Sequence, residues 1–265
     1  MTRIATRLGS IGVAEVGAGD AIPLVFLHGV GSDKSAWALQ LKTFGAQRRT
    51  VAIDYPGYGE SDPACPSGVA PHDNFGDAML AAFDALEIER AHICGLSLGG
   101  VVAIGLAHRA PQRVASLVIA DSFARHPDGD AILARSLAAS DDMRGLAEAR
   151  IPTLLAPNPE PALAAALVAV MAAIDPAAFR LGSAAVWPAD QRDRAASLLL
   201  PTLILCGSDD LVTPPSLSRE LAAIICGARI EIIAQAGHLP NLEQRTAFNS
   251  AVQRFLTETE AIHEG

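Results

Sequence analysis

The chain is short of charge. Only 18% of its 265 residues are Asp, Glu, Lys or Arg, while half are hydrophobic. That is too little charge, and too much apolar material, for a disordered chain. Positive charge is the scarcer kind, with 20 Lys and Arg against 29 Asp and Glu and a net charge of −9. A surface that tracks phosphates needs the opposite sign, which argues against a nucleic-acid partner. Long apolar runs are missing as well. The longest, Ala162 to Ile174, has 13 residues. A bilayer span needs about 20, so the run reads as a buried helix and no membrane partner is expected. The basic residues between Met1 and Ser10 are not followed by an apolar segment, so no signal peptide is expected. Four cysteines, Cys65, Cys94, Cys206 and Cys226, are scattered without metal-type spacing. They read as core-filling thiols in a reducing cytoplasm, not as a disulfide framework. No internal repeat is visible.

What is present is an alternation. Short apolar runs at Ile22–Leu27, Val51–Ile53, His92–Cys94, Val114–Ala120, Thr202–Cys206 and Ile230–Ile233 read as strands. Several are continuously apolar, as strands covered on both faces must be. Helical patterns lie between and after them at Ser35–Phe44, Asn74–Leu86, Leu98–His108, Ser216–Ile225 and Asn241–Leu256. Such alternation predicts an α/β fold with a mostly parallel sheet flanked by helices. Leu8 to Val16 is a further candidate, as a strand of an N-terminal hairpin. The alternation stops after Ala120. From there to about Ser197 the chain is Ala-rich and helical, interrupted by Pro127, Pro152, Pro157, Pro159, Pro161 and Pro176. The expected organisation is a core from residues 1–121 and 198–265, with a helical cap inserted at 122–197.

Four loops after predicted strands carry chemistry-bearing residues. Gly95-Leu96-Ser97-Leu98-Gly99 joins a strand to a helix. A serine on so sharp a turn projects its hydroxyl above the sheet edge, and glycines two residues away on either side avoid collision with the neighbouring helix and strand. The helix start also points amide N–H groups at the reacting centre. His28-Gly29-Val30-Gly31 follows the strand ending at Leu27. The oxyanion formed in acyl transfer needs two donors, and the amides of Val30 and Leu98 are the candidates, with His28 packing beneath the loop. Gly207-Ser208-Asp209-Asp210 precedes Thr213-Pro214, and Ala236-Gly237-His238 follows the last strand. Histidine exchanges a proton near neutrality because its unperturbed pKa is about 6.5. The order along the chain is Ser, Asp, His. The expected nucleophile is therefore Ser97, with His238 as base. No Lys-Ser/Thr follows the glycines, so no nucleotide is expected. Asp209-Asp210 has no ligand cluster at metal spacing, so neither metal nor cofactor is expected.

On these motifs the chain resembles the α/β-hydrolase superfamily over nearly all its length apart from the Ala-rich insertion, which corresponds to that family's helical cap. The resemblance implies that the acid stands three residues after Gly207 and three before Thr213, at Asp210, with Asp121 and Asp209 as alternatives. Within the superfamily, Trp37–Gln40, Asp54-Tyr55-Pro56-Gly57-Tyr58-Gly59-Glu60-Ser61 and Gly237-His238-Leu239-Pro240-Asn241-Leu242-Glu243-Gln244 resemble the 3-oxoadipate enol-lactonase-like group. The chain departs from that group at His28-Gly29, a dipeptide the group often lacks.

The implied activity is hydrolysis of a small ester or lactone through an acyl-serine. Carbon–carbon bond hydrolysis of the meta-cleavage-product type is the alternative, although such enzymes commonly carry Trp after the histidine, where this chain has Leu239. Cofactor-free perhydrolysis and a non-catalytic binding protein on the same fold are further alternatives. Leu133, Leu137, Val170, Met171 and Trp187 give the cap an apolar character and suggest a pocket roof, with Trp187 as a substrate-binding candidate. Arg125, four residues after Asp121, is the candidate for gripping a substrate carboxylate.

Overall fold

The computed structural model describes residues 2–64 and 69–263, so Cys65 lies outside the described residues. The strands are β1 Thr2–Thr6, β2 Gly9–Val16, β3 Leu24–Leu27, β4 Thr50–Ile53, β5 Ala91–Leu96, β6 Val114–Ala120, β7 Thr202–Gly207 and β8 Arg229–Ile233. They form one sheet in the order β1-β2-β4-β3-β5-β6-β7-β8. β1 and β2 form an antiparallel hairpin, β2 runs antiparallel to β4, and the rest are parallel. The N-terminal candidate strand is the second arm of that hairpin.

Every residue of β3, β4, β5, β6 and β7 is buried. Strand side chains alternate between faces, and the core divides accordingly. Val25, Leu27 and Ile93 pack against helices α2 Pro71–Ala85 and α3 Leu98–Arg109 on one face. Leu24, Phe26 and Cys94 pack on the other against α1 Ala38–Phe44, with Trp37 and the C-terminal helix contributing Phe248 and Val252. Phe26 stacks on Trp37 with ring centroids 4.8 Å apart.

Five helices lie between β6 and β7: α4 Gly129–Ala139, α5 Met143–Leu154, α6 Pro161–Ala172, α7 Pro176–Val186 and α8 Arg192–Ala196. Two of the prolines that break the sequence pattern start these helices, whereas Pro152 lies inside α5. Pro161 and Pro176 occupy first-turn positions, where the missing N–H is not needed. After β7 come α9 Pro215–Ile224, α10 Pro240–Glu243 and α11 Arg245–His263. The single helix expected over Asn241–Leu256 is thus two helices, broken at Gln244. The one expected over Ser35–Phe44 is a 3₁₀ turn, Lys34–Trp37, followed by α1.

The run Ala162–Ile174 corrects an expectation. It is helical through Ala172, but only Met171 and Ile174 are buried and the rest is half-buried or exposed. Its exposed positions are all alanines, while Leu163, Leu167, Val168 and Val170 are half-buried. No single helix among the described residues is long and apolar enough to cross a membrane. The pair α6 and α7 passes by length and composition only when joined across a 101° bend. Cys94 and Cys206 are buried, whereas Cys226 is exposed and fills no core.

Candidate active site

The loops after β3, β5, β7 and β8 meet at the carboxyl edge of the sheet, where β3 and β5 lie side by side and the chain's winding changes direction. Open α/β sheets bind ligands at such a switch point. Ser97 sits between β5 and α3 with φ 55° and ψ −114°, a backbone conformation that costs a non-glycine residue about 1–3 kcal/mol. The glycines around it have no room for a side chain. A Cβ on Gly95 would lie 2.2 Å from the Gly99 carbonyl oxygen, and one on Gly99 would lie 2.2 Å from the Leu27 carbonyl oxygen. Ser122 Oγ donates to the Ser97 carbonyl at 2.8 Å, which holds the turn from the β6 side.

The loop after β3 passes directly over this turn, so that a Cβ on Gly29 would stand 3.5 Å from Ser97 Cβ. Among the described residues neither the Val30 nor the Leu98 amide has an acceptor. Two free N–H groups therefore flank Ser97. His28 lies beneath the loop, fully buried between Tyr55 and Tyr58, with ring centroids at 4.6 and 5.1 Å. Its Nδ1 meets the Gly29 carbonyl oxygen at 2.8 Å, and its Nε2 accepts from the Tyr55 amide at 3.3 Å. Burial pulls its pKa down, against the charge of Asp54. His28 is thus a neutral strut with both nitrogens engaged.

His238 and Asp210 meet from the loops after β8 and β7. His238 Nδ1 lies 2.9 Å from Asp210 Oδ2. The same carboxylate accepts from Thr213 Oγ1 at 2.7 Å, from the Val212 amide at 2.7 Å and from the Thr213 amide at 3.0 Å. Burial opposes its ionisation, but the charge and hydrogen bond of His238 together with Thr213 hold it well below the usual carboxylate range. His238 and Ser97 face one narrow cavity.

Asp121, the alternative acid, lies behind this pair. It is buried, with φ 45°, and accepts the Gly207 amide at 2.8 Å. Burial and then the charge of Asp210 push its pKa well up. Asp209 hydrogen-bonds through its amide to the Ala236 carbonyl; its side chain makes no contact with His238. Asp121, Cys206 and Asp210 each bring a potential ligand atom within 4.8 Å of the others, a grouping that linear spacing did not reveal. Its donors suit a metal poorly. Both Asp210 oxygens are already engaged by Val212, Thr213 and His238, and burial holds the Cys206 thiol protonated.

Two cap residues singled out in the sequence lie elsewhere. Arg125 is 56% exposed, its backbone bridges to Asp190, and its guanidinium lies 4.0 Å from the Asp190 carboxylate. Trp187 is buried but stacks on Phe123 and meets His126 edge-on, and it lines a separate cleft. Of the apolar cap residues, Met171 does line the cavity of Ser97, whereas Leu137 is exposed.

Two groups escaped the sequence reading. Glu243 gathers three amides, Ala156 at 2.7 Å on Oε2 and Gly237 and Leu239 at 2.9 and 3.3 Å on Oε1. The His238 amide itself donates to the Leu154 carbonyl at 2.8 Å. The end of α5 is thereby fastened to the histidine loop. The signal for Glu243 was its place five residues after His238, in the first turn of the helix expected from Asn241 onward. The second group is Arg150 of α5, which lines the same cavity as Ser97 and His238.

Comparison with known proteins agrees with this architecture. A family model described as "Alpha/beta hydrolase family" matches residues 24–251. The chain is 31% identical to 3-oxoadipate enol-lactonase 1 of Acinetobacter baylyi, over 86% of each protein. It is also 31% identical to the dihydrolipoyllysine-residue acetyltransferase component of the acetoin cleaving system of Pseudomonas putida, over 91% of this chain, and spans 65% of that longer protein. The crystal structure of the enol-lactonase from Burkholderia xenovorans LB400 superposes with a TM-score of 0.89 at 28% identity, covering 97% of this chain and all of that one.

Proposed function

The chain belongs to the alpha/beta hydrolase family, and from that premise we propose that it hydrolyses a small ester or lactone through an acyl-serine intermediate. The observation that carries the reading is the convergence of Ser97, on its constrained turn, and the hydrogen-bonded pair His238–Asp210 on one cavity. Ser97 Oγ attacks the carbonyl carbon while His238 Nε2 takes its proton. The charge that develops on the carbonyl oxygen is stabilised by hydrogen bonds donated by the Val30 and Leu98 amides, which have no other acceptor and need no reorganisation. His238 then returns the proton to the leaving oxygen as the carbon–oxygen bond breaks. For a lactone that oxygen stays attached to the acyl chain. Water attacks the acyl-serine as His238 takes its proton; the acyl carbon–Ser97 Oγ bond then breaks, His238 returns that proton to Oγ, and the acid leaves. Asp210 holds the His238 proton on Nδ1, which leaves Nε2 free to accept.

The similarity to two enol-lactonases favours a lactone, and specifically an enol-lactone, over an open-chain ester. Turnover of a panel of aryl esters, saturated lactones and enol-lactones tests the reading, with Ser97→Ala as the blank. The expected result is enol-lactone turnover that the variant abolishes. Absence of turnover across the panel, or equal turnover by the variant, would remove it.

A further inference from the structure

Helix α5 borders two spaces. Ala147, Ile151 and Leu154 face the cavity of Ser97 and His238. Leu146, Arg150 and Thr153 face a neighbouring cleft, which α4, Trp187 and the loop after β7 complete. Residues three and four apart share a helix face, so the two rows are adjacent stripes of one helix, offset by one residue. Arg150, which is half-buried, is the only residue among the described ones that lines both spaces. The spaces differ in size. The cavity over Ser97 holds about 50 Å³, room for about four water-sized groups. The cleft holds about 640 Å³, within the range of sites that take small molecules. Ile132, Leu146, Trp187 and Leu217 give it apolar walls.

A cavity of that size accommodates a short acyl group on Ser97 and no more. A longer chain must leave it, and the larger apolar space lies past Arg150. There the chain would meet the arginine side chain and would have to displace water from a charged group, which is costly. We propose that Arg150 is the partition that restricts this site to short acyl groups, and that the cleft beside it is a latent acyl-chain site, joined to the cavity when the side chain is cut back. The inference rests on the hydrolase reading of Ser97 and names the residue that sets its size limit. Among the described residues the guanidinium makes no ion pair and no hydrogen bond. Its removal therefore leaves no buried partner unsatisfied, and the partition can be opened without unpicking a polar network.

The test measures kcat/KM by nitrophenolate release for 4-nitrophenyl acetate, butyrate, hexanoate and octanoate. The proteins are the wild type, Arg150→Ala, Arg150→Lys and the double variant Arg150→Ala/Ala131→Trp, in which an indole on α4 fills the cleft that Ala131 lines. In the wild type kcat/KM should fall from butyrate to octanoate. Each methylene buried is worth about fourfold, and octanoyl has four more than butyryl. The octanoate-to-butyrate ratio should therefore rise at least about thirtyfold in Arg150→Ala, since burying two or three of the four suffices. Arg150→Lys keeps the length and the charge and should hold the wild-type ratio. Ala131→Trp should cancel the gain of Arg150→Ala. A ratio in Arg150→Ala within threefold of the wild type would overturn the proposal. So would an equal rise in Arg150→Lys, a gain that survives Ala131→Trp undiminished, or a wild type that takes octanoate as well as butyrate. If the alanine variant does not fold, Arg150→Ser is read in the same way. Failure of the hydrolase reading looks different, since the wild type would then turn over none of the four esters, acetate included.

Discussion

Asp210→Asn changes little in shape and reverses one hydrogen bond. Asp210 Oδ1 accepts the Val212 and Thr213 amides at 2.7 and 3.0 Å, so the carboxamide oxygen of asparagine would be held there. Its NH₂ would then face His238 Nδ1 and Thr213 Oγ1, which lie 2.9 and 2.7 Å from Oδ2. A donor against Nδ1 forces the imidazole to accept at that atom and to carry its proton on Nε2. An Nε2–H cannot take the Ser97 proton. The loss expected from a wrong tautomer is about 10⁴ in kcat, as in the best-characterised serine triad, or roughly 5.5 kcal/mol in the barrier. Asp121→Asn is the matched control. Burial and the charge of Asp210 push that carboxyl toward its neutral form, and a carboxamide oxygen can still accept the Gly207 amide. Its loss should stay below about tenfold, far short of a tautomer change. Steady-state nitrophenolate release measures both, with thermal melting to confirm folding. Asp210→Asn activity within tenfold of wild type would refute the reasoning. A severe loss in Asp121→Asn alone would move the acid to the end of β6.

Glu243→Ala should destabilise the protein by about 2–4 kcal/mol in urea denaturation, since three amides lose their acceptor at a typical net cost near 1 kcal/mol each; a change under 0.5 kcal/mol would show that water replaces the carboxylate. His92 sets a pH dependence. Burial, against the charge of Glu260, lowers its pKa from 6.5 to about 4, so the unfolded chain binds a proton that the folded chain refuses between those values. The stability this confers is full above pH 6.5 and is lost as pH falls toward 4, by up to about 3 kcal/mol. Urea midpoints at pH 7 and 4.5 should show that fall in the wild type and a smaller one in His92→Gln. Equal slopes would assign the acid sensitivity to other groups.

The fold was legible because its signals are local. Unbroken apolar runs such as Val114–Ala120 mark strands covered on both faces, and the glycines around Ser97 report a turn with no space for Cβ. His238 was legible for the same reason, standing in a short motif at the end of a strand, whereas the choice of Asp210 over Asp121 and Asp209 came from the resemblance to the α/β-hydrolase superfamily and not from the residues alone. The cap was not. Helical periodicity shows which residues share a face but not what the face meets. Arg125 and Trp187 begin and end the inserted segment close to the core, yet one turns to solvent and the other packs between Phe123 and His126. Arg150 is unremarkable in a linear reading. It becomes notable only when α5 is seen to roof the cavity with Ala147 and Leu154 beside it. The grouping of Asp121 with Asp210 joins the ends of β6 and β7, 89 residues apart, and only strand pairing brings them together.

The central claim is that Ser97 is acylated by the substrate. Labelling with a fluorophosphonate, followed by tryptic mass spectrometry, tests it directly. Cleavage after Arg90 and Arg109 gives the peptide Ala91–Arg109, in which Ser97 is the single hydroxyl side chain. The account predicts that this peptide carries the phosphonyl mass, stoichiometrically, on Ser97, and that labelling disappears in His238→Ala, where no base activates the hydroxyl. An unlabelled Ala91–Arg109 peptide from folded protein, or labelling that persists undiminished in His238→Ala, would contradict it.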